Sequence, residues 1–371
     1  MKFRIEKDDL LYAVSAVEKA VSGKNTLPVL SGIYLEAKDN QICFRATDLE
    51  LAIECRIHAQ VEEEGVLVAP GRKLSALVRL LPRAEITLSS KDMNLDVIYP
   101  GSSVQLPCYP PEDFPMLPKM NGQSSGLLPA AQFRRMVKQV SIAAAQDEVR
   151  PVFAGIYTEI DGDNIVFVAT DTHRLAKAQG KWQGEGKTHL NIPSRVLQEV
   201  CRLAQNDDDM IQMSFSDSQV FFSFGDLLFT SRLIMGQYPD YRQVIPAENL
   251  FCTGLTLAKR PFGEALERAA LIAGQSGNKA NTVRLELKEN SLHLCAEVPD
   301  QGRIDEEIPA EIQGETFTIG YNVKYLLDVL KILDTDSIQM RLTGMNTPGI
   351  ITAAESDEDY LYLLLPVRMS R

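Results

Sequence analysis

Long apolar segments are missing from this sequence. No stretch approaches the ~18 consecutive apolar residues that a membrane-spanning helix needs. The N-terminus, MKFRIEKDD, also lacks the apolar stretch of a secretory signal peptide. We therefore expect no membrane span and no signal peptide, and we expect the protein in the reducing cytoplasm.

Cysteine and histidine are sparse as well. The cysteines form no Cys-X-X-Cys pair, which excludes a zinc ribbon or a thioredoxin-like site. Most of them lie in apolar runs such as 42–44 and 294–296, which predicts small core residues. Four histidines are few for a metalloenzyme or a hydrolase, so we expect no catalytic residue, no metal and no cofactor. The cysteines are Cys43, Cys55, Cys108, Cys201, Cys252 and Cys295.

Basic residues are outnumbered by acidic ones. Lys and Arg number 38 against 50 Asp and Glu, and the formal net charge is −12. This balance argues against a protein coated in positive charge, but affinity for nucleic acid depends on where the cations cluster. A hydrophobic fraction of 45% is that of a globular protein. Because the 371 residues exceed what one core usually holds, we expect two or three domains.

An internal repeat organises the chain. With an offset of 123 residues, 26–48 (TLPVLSGIYLEAKDNQICFRATD) aligns without gaps with 149–171 (VRPVFAGIYTEIDGDNIVFVATD). The same offset superposes a helix with apolar spacing of four then three before this segment, and a second helix after it. The superposed positions are Leu10, Val14 and Val17 on Phe133, Val137 and Val140, and Pro70, Arg72, Leu74, Arg79 and Leu80 on Pro193, Arg195, Leu197, Arg202 and Leu203.

A third, fainter copy completes the pattern. Phe262, Leu266 and Ala269 repeat the spacing of the first helix, and 283–296 resembles the strand pair. Each copy mixes two helices with short alternating strands, which predicts an α+β fold of three repeated domains whose helices pack on antiparallel sheets. The predicted domains are 1–121, 127–248 and 250–371, with linkers near 119–126 and 248–253.

Three short motifs resemble ligand-binding loops, but their residues do not have the spacing that such loops require. The GKT of 184–188 would need a Gly at position 181 to form a phosphate-binding loop, and that residue is Lys181. The acidic stretches 161–164 and 206–209 do not continue into a calcium loop with its closing Glu. We interpret 184–188 and 161–164 as exposed hairpin turns and 206–209 as a solvated turn.

One constellation leaves an enzymatic alternative open. Asp171 and His173 offer an acid–base pair, although no nucleophile motif accompanies them. Asp171 has a counterpart, Asp48, in the first repeat, which favours a carboxylate that caps a turn.

The second repeat differs from the first after this Asp. It alone continues with His173-Arg174-Leu175, and its segment carries Arg150 where the first has Leu27. A feature present in one copy of a duplicated fold indicates a site added to a scaffold. Sequence drift in a surface loop is the alternative.

Cations concentrate on the predicted helices, whereas acidic clusters such as 62–64 and 357–359 lie on strands and loops. The helices therefore form the basic side of an acidic molecule, unless they are ordinary solvated helix faces. The basic helix residues are Lys7, Lys19, Arg72, Lys73, Arg79, Arg134, Arg135, Lys138, Arg195, Arg202, Lys259, Arg260, Arg268, Lys324 and Lys331.

Four segments together carry a family resemblance. They are 150–176 (RPVFAGIYTEIDGDNIVFVATDTHRLA), 237–246 (QYPDYRQVIP), 320–330 (GYNVKYLLDVL) and 362–368 (YLLLPVR). In this order they closely resemble the bacterial sliding-clamp family, the beta subunits of replicative DNA polymerase III. The resemblance runs from Met1 to near the C-terminus and includes the triple repeat.

The resemblance implies a ring. In the family each repeat is a domain with two helices inside and sheets outside, and two subunits join domain one to domain three, which closes the ring. Helix cations would face DNA phosphates, a sequence-independent contact that permits sliding. The implied function is a non-catalytic processivity factor at the nucleoid. Its implied partners are duplex DNA, a second copy, the polymerase III alpha subunit, the clamp loader, and other polymerases and repair proteins, with no cofactor and no membrane.

The resemblance also implies a pocket between domains two and three for peptides that carry Gln followed by a few hydrophobic residues. Apolar side chains would hold the peptide, and His173, Arg174 and Arg368 would hydrogen-bond it at the rim. Gln243 and Thr172 depart from the family, where Arg and Gly are common, and 369–371 extends beyond the last match. The matching positions are Arg150, Phe153, Thr170, His173, Arg174, Leu175, Pro239, Val244, Leu364, Leu365, Pro366, Val367 and Arg368.

Further contact residues are expected on the other two surfaces. By resemblance, Leu106, Leu271 and Ile272 form the dimer contact, and Lys24 touches DNA. Helix position adds four predicted DNA contacts, which are Arg72, Lys73, Arg195 and Arg202. Two hypotheses from other classes stay open: an enzyme acting on DNA or nucleotide through Asp171 and His173, and a protein scaffold that never encircles DNA.

Overall fold

Six α-helices in the described part of the chain follow the repeat. The structure is a computed structural model that describes residues 1–23, 27–118, 124–146, 149–273, 281–299, 302–355 and 360–368. Within these ranges each copy of the repeat has two helices, which confirms the prediction. None of the described helices combines the length and the apolarity needed to cross a membrane. The helices are α1 (Lys7–Val17), α2 (Gly71–Leu80), α3 (Ala130–Ser141), α4 (Ser194–Leu203), α5 (Lys259–Ala273) and α6 (Val323–Ile332).

The described strands are short and pair only in antiparallel fashion. In chain order they are β1 (Lys2–Glu6), β2 (Gly32–Lys38), β3 (Gln41–Thr47), β4 (Leu51–His58), β5 (Gln60–Glu63), β6 (Gly65–Pro70), β7 (Glu85–Lys91), β8 (Asn94–Tyr99), β9 (Ser102–Pro107), β10 (Ser124–Pro129), β11 (Gly155–Asp161), β12 (Asn164–Thr170), β13 (Arg174–Lys181), β14 (Gln183–Gly184), β15 (Lys187–Pro193), β16 (Met210–Phe215), β17 (Gln219–Phe224), β18 (Leu227–Arg232), β19 (Thr253–Ala258), β20 (Thr282–Lys288), β21 (Ser291–Val298), β22 (Gly302–Gly314), β23 (Thr318–Asn322), β24 (Ser337–Leu342), β25 (Gly349–Ala353) and β26 (Tyr360–Leu364).

The chain divides into two compact units, and the middle repeat contributes to both. Unit 1 consists of Met1–Phe133, Gln183–Gly186 and Arg195–Leu233, and unit 2 of Arg134–Trp182, Lys187–Ser194 and Ile234–Arg371. The three-domain boundaries stay a prediction. The described part of the first predicted linker already belongs to β10, and the second contains a 3-10 helix, Glu248–Leu250.

Unit 1 contains a five-stranded and a nine-stranded sheet. Their strand orders are β5-β1-β7-β8-β9 and β14-β10-β16-β17-β18-β4-β3-β2-β6. Strands of the first and second repeats share the larger sheet, where β4 pairs with β18 and Ile53 lies opposite Phe229. The buried face of α1, which includes Leu10 and Val14, belongs to this unit's core, as the apolar spacing predicted.

Unit 2 is built on one twelve-stranded sheet of order β15-β11-β12-β13-β26-β25-β24-β19-β22-β21-β20-β23. The second repeat meets the C-terminus where β13 pairs with β26, from Arg174 opposite Leu364 to Ala178 opposite Tyr360. This register places the β12–β13 turn beside the C-terminal residues. With helices packed on antiparallel sheets, the α+β class is confirmed.

The cysteine prediction is confirmed in part. Cys43, Cys55 and Cys295 are buried and the other three are half-buried, all as free thiols. Burial raises the pKa of the Cys43 and Cys55 thiols to about 12. Because the thiolate is the reactive form, these two side chains behave as inert core residues.

The acidic stretches are turns, as predicted. Asp161 pairs with Asn164 across β11 and β12, and Gly162 between them adopts a left-handed φ of 61°. The Asn206 amide donates to Asp209 Oδ1 at 2.9 Å. Over the described ranges, no group of His, Cys, Asp and Glu is arranged to hold a metal ion.

The hairpin predicted at 184–188 is wrong in its pairing. The strand before it, β14, pairs with β10, whereas β15, which begins at Lys187, pairs with β11. The two strands therefore belong to different sheets, a choice of partner that local alternation does not encode. Lys187 begins a strand instead of a helix, and its ammonium lies 2.7 Å from Asp161, so the GKT forms no phosphate-binding loop.

The Thr-Asp pair shared by two repeats builds the same turn twice. Asp171 Oδ1 accepts from the amides two and three residues later, both at 3.0 Å, and Asp48 accepts from the corresponding amides at 3.1 and 2.8 Å. The prediction of a capping carboxylate is confirmed. Leu49 and Thr172 occupy the left-handed position of these turns, with φ of 78° and 76°. A residue without Cβ suits this position best, so Thr172 holds a strained backbone.

Two glycines are common to the first and second repeats because there is no room for a side chain. A Cβ at Gly32 would lie 2.4 Å from Val68 Cγ1, and one at Gly155 would lie 2.0 Å from Asn191 Oδ1. Their φ values of −99° and −95° are ordinary, so close approach and not backbone freedom selects glycine here.

We predict that Gly155→Ala destabilises unit 2 by about 1–3 kcal/mol, because the methyl group forces the Asn191 side chain aside. Gly254→Ala is the matched control, since a Cβ there meets nothing within 4 Å, and it should be neutral or stabilising. Urea unfolding followed by the fluorescence of Trp182, the single tryptophan and a buried residue of unit 2, measures both variants. Equal unfolding free energies for the two variants would contradict the packing argument.

Candidate functional site

Unit 2 contains a cavity of about 840 Å³, a volume in the range of ligand-binding pockets. Most of its wall is apolar, and Arg174 and Asp240 are the only Asp, Glu, Lys, Arg or His residues among those described as lining it. The lining residues are Phe153, Thr170, Thr172, Arg174, Leu175, Pro239, Asp240, Tyr241, Gln243, Val244, Ile245, Pro246, Ala247, Leu250, Thr343, Thr347, Pro348, Leu363 and Leu365.

The β12–β13 turn forms one side of the cavity. Thr170 Oγ1 donates to the Arg174 carbonyl at 2.7 Å and accepts from the Thr172 amide at 3.1 Å. The Leu365 amide donates to the His173 carbonyl at 2.9 Å, so the residues after β26 lie along this turn. The turn and the C-terminal segment are therefore joined by backbone hydrogen bonds.

Arg174 is nearly buried in the wall, at 8% exposure. Its Nε donates to Asp171 at 2.9 Å, its Nη1 donates to Asp328 of α6 at 2.7 Å, and its guanidinium carbon lies 4.1 Å from the Tyr325 ring centroid. Burial alone would lower the pKa of Arg174, but Tyr362 and the two carboxylates outweigh it and raise that pKa. The guanidinium therefore does not lie free at the rim, where the family resemblance placed it, but is engaged within the protein.

A 3-10 helix, Tyr241–Val244, forms the opposite side. Asp240 caps it by accepting from the Arg242 amide at 3.2 Å. Tyr241 is buried in a cluster with Leu175 and Leu363, whereas Val244 on the next turn is 51% exposed. An exposed valine in an apolar wall offers surface to a ligand.

Three aromatic rings pack against one another next to the cavity. Tyr157 and Tyr238 stack with ring centroids 4.7 Å apart, and Phe153 meets Tyr238 edge-on at 5.9 Å. Phe153 itself lines the cavity. Because burial raises the pKa of Tyr238, its hydroxyl stays protonated across the physiological range.

The structure brings seven of the thirteen predicted pocket residues into the cavity lining. They are Phe153, Thr170, Arg174, Leu175, Pro239, Val244 and Leu365. Leu364 is instead fully buried in β26, and the His173 ring lies against Tyr325 with centroids 6.4 Å apart. The Val367 amide donates to the Gly320 carbonyl at 2.8 Å, Pro366 is half-buried, and Arg150 and Arg368 are exposed outside the lining. The extension 369–371 lies outside the described residues.

A third side of the cavity, which no sequence pattern predicted, consists of Leu250, Thr343, Thr347 and Pro348. Thr343 Oγ1 donates to Thr347 Oγ1 at 2.8 Å and contacts the Pro348 carbonyl at 2.9 Å, which holds this loop closed. The third repeat is too divergent for internal comparison to mark these positions. Leu250 fell within a predicted linker.

The predicted DNA contacts lie in unit 1 on two helices. Arg72 and Lys73 are exposed on α2, and neither has an ion pair with any residue that the structure describes. On α4, Arg195 donates to Asp48 at 2.9 Å and Arg202 pairs with Glu199 at 2.5 Å. Lys24 lies outside the described residues.

The predicted dimer residues differ in exposure. Leu106 lies on β9, an edge strand of the five-stranded sheet, and is already buried opposite Leu95. Leu271 on α5 is 70% exposed, and Ile272 next to it is half-buried.

We predict that Arg174→Met lowers the unfolding free energy of unit 2 by about 3 kcal/mol, because Asp171 and Asp328 lose their shared counter-charge in a buried setting. Arg260→Met, which breaks an exposed helix pair with Glu264, should cost less than about 1 kcal/mol. Unfolding in urea, read from Trp182 fluorescence, compares the two. A loss for Arg174→Met as small as that of the control would refute the proposed strength of this network.

Comparison with known proteins agrees with this geometry along the whole chain. Three models of the DNA polymerase III beta subunit match in order: the N-terminal domain over residues 1–118, the central domain over 127–240 and the C-terminal domain over 242–368. Among solved structures, the sliding clamp of Pseudomonas aeruginosa bound to griselimycin and that of Bacillus subtilis each superpose with a TM-score of 0.94 at 29% identity, covering 100% of both chains.

Curated relatives have similar length and order. The beta sliding clamp of Staphylococcus epidermidis is 31% identical over 380 residues, which cover 99% of each chain. Those of Streptomyces coelicolor and Synechocystis are 31% identical over 382 residues and 34% identical over 393 residues, with full coverage of both chains. This chain therefore belongs to the DNA polymerase III beta subunit family, the family of the bacterial beta sliding clamps.

Proposed function

We propose that this chain is a DNA sliding clamp, a non-catalytic processivity factor of DNA polymerase III. Two copies form a ring around duplex DNA, and the ring holds replicative and repair polymerases and the clamp loader at the template. The observation that carries the proposal is the ordered match of all three domain models along one chain. Because it binds chromosomal DNA, the protein acts at the nucleoid in the cytoplasm.

The ring closes by contact between different faces of two copies. A head-to-tail contact repeated through a half-turn returns to its starting point, so two copies suffice. Leu271 and Ile272 of α5 supply one apolar face. The edge strand β9, which carries Leu106, supplies the other, mainly through its backbone because the Leu106 side chain is already buried.

Contact with DNA uses phosphates and reads no bases. Arg72 and Lys73 are available as they stand, whereas Arg195 and Arg202 exchange a carboxylate partner for a phosphate. Both guanidiniums are exposed and can meet a phosphate, but their carboxylate partners are largely buried, so giving up the ion pair costs free energy and keeps these two contacts weak. Lys24 is assigned to the same surface by resemblance alone. Contacts of this kind are salt-sensitive and independent of sequence, as sliding requires.

The cavity of unit 2 takes peptides of polymerases and of the clamp loader. Its apolar wall suits hydrophobic side chains, and the hydroxyls of Thr170 and Thr343 suit peptide amides at the margin. Gln243 stands at this margin in place of the arginine that is common in relatives. Its side chain donates to Asp240 at 3.3 Å. The rest of the pocket assignment consists of Arg150, Phe153, His173, Arg174, Leu175, Pro239, Val244, Leu364, Leu365, Pro366, Val367 and Arg368.

The enzymatic hypothesis loses its general base. Asp171 Oδ1 accepts from two backbone amides and its Oδ2 accepts from Arg174 at 2.9 Å, so both oxygens are committed to the turn. These hydrogen bonds give the carboxylate a structural role in the turn. The alternative of a scaffold that never encircles DNA shares the peptide cavity and differs only in how DNA is retained.

We predict that Val244→Asp weakens peptide binding at least about tenfold, because a carboxylate in the apolar wall must lose its hydration when the peptide docks. Fluorescence anisotropy with a labelled hexapeptide containing Gln followed by Leu and Phe measures the affinity. Val66→Asp, at a similarly exposed valine (42%) of unit 1, is the control and should bind normally. Normal affinity for Val244→Asp would show that peptides dock elsewhere.

A further inference from the structure

Glu159, which does not line the cavity, forms hydrogen bonds with the 3-10 helix that does. Glu159 of β11 accepts from the Tyr241 hydroxyl through Oε2 at 2.8 Å. It also accepts from Arg242 through both oxygens, at 3.0 Å from Nη1 and 2.6 Å from Nη2. Such a two-point contact with a guanidinium fixes direction as well as distance. Glu159 therefore holds two consecutive residues of the 3-10 helix Tyr241–Val244.

These two residues are also fixed to each other. The Arg242 guanidinium lies 4.6 Å from the centroid of the Tyr241 ring, in cation–π geometry. Burial, together with the Glu159 carboxylate, raises the pKa of Tyr241, so its hydroxyl remains a donor throughout the pH range of the folded protein. The hydrogen bonds that Arg242 donates to Glu159 likewise raise the pKa of Arg242.

Glu159 lies on a strand that is paired on both sides, whereas the element that it holds is a 3-10 helix of four residues. Glu159 lies opposite Val166 on β12 and His189 on β15, so its backbone is held by strands on both sides. A four-residue 3-10 helix has few hydrogen bonds of its own and takes its position from outside contacts. Without Glu159, this helix would be held by its Asp240 cap and by the packing of Tyr241 against Leu175 and Leu363.

We propose that Glu159 is a positioning residue of the peptide site, one that keeps Val244 in the cavity wall before a peptide arrives. This inference rests on the proposed peptide-binding function and adds a residue that does not line the pocket. A wall that is already ordered spares the peptide the cost of ordering it, which increases affinity. Glu159 acts through Tyr241 and Arg242 and touches no peptide itself.

The same strand provides a matched control. Asp161, two residues beyond Glu159, pairs with Lys187 at 2.7 Å. This ion pair is exposed and joins β11 to β15, and Asp161 has no described hydrogen bond to the 3-10 helix. Glu159→Gln and Asp161→Asn therefore each remove one charge from β11. Only Glu159→Gln weakens the hydrogen bonds that hold the 3-10 helix.

The first experiment measures binding of the labelled Gln-Leu-Phe hexapeptide to the full chain. We expect Glu159→Gln to weaken affinity roughly three- to tenfold, mainly through faster dissociation, and Asp161→Asn to leave it unchanged. In a Val244→Ala background the effect of Glu159→Gln should largely disappear, because the side chain that it positions is gone. Additive effects in this cycle, or equal affinities for Glu159→Gln and Asp161→Asn, would overturn the inference.

The second experiment needs no ligand. Hydrogen exchange of the amides of 241–245 should be faster in Glu159→Gln than in Asp161→Asn, while the urea midpoint read from Trp182 stays the same in both. Unchanged exchange would overturn the anchoring role directly. If the unsubstituted chain fails to bind the hexapeptide, the proposed peptide site fails, and the exchange data still decide whether Glu159 anchors the helix.

Discussion

A buried arginine joins the parts of unit 2 that form the cavity. Arg174 lies at the start of β13 and donates to Asp171 in its own turn and to Asp328 on α6, while the hydroxyl of Tyr362 on β26 lies 3.5 Å away. A buried charge in this position is stable only when its partners neutralise it. The turn, the helix and the C-terminal strand must therefore all be in place in the folded unit. At the equivalent position of the first repeat stands Leu51, which cannot make these contacts. The cavity thus lies where the second copy of the repeat has a cation that the first copy lacks.

The sequence predicted the local structure well and the long-range pairing poorly. Helix faces follow from the four-three apolar spacing, and the Asp-capped turns follow from the repeat, because both depend on neighbours in sequence. Which strands pair with each other does not follow from neighbours in sequence. For this reason the connection at 184–188 was wrongly predicted as a hairpin. For the same reason the loop of Thr343 and Pro348 was missed as a cavity wall. Glu159 gave no signal, because its partners lie about eighty residues away.

The acidic balance of the molecule and its proposed affinity for DNA are compatible. A net charge of −12 limits non-specific adhesion, while cations confined to helices act locally. On α4, Arg195 and Arg202 are already paired with carboxylates, so their contribution to DNA binding is an exchange of partners. Weak contacts of this sort let a protein move along DNA, and they leave the task of retention to topology. Proteins that share one cavity on such a ring compete for it, and each gains a high local concentration at the template.

Retention on circular against linear DNA tests the central claim most directly. The protein is loaded onto nicked circular DNA by a clamp loader, the circle is then linearised in half of the sample, and both halves pass through gel filtration at raised salt. The account predicts that the protein stays with the circle and leaves the linear form, because a closed ring slides off a free end. Equal retention on both forms, or none on either with an active loader, would contradict an encircling ring and favour a peptide-binding scaffold.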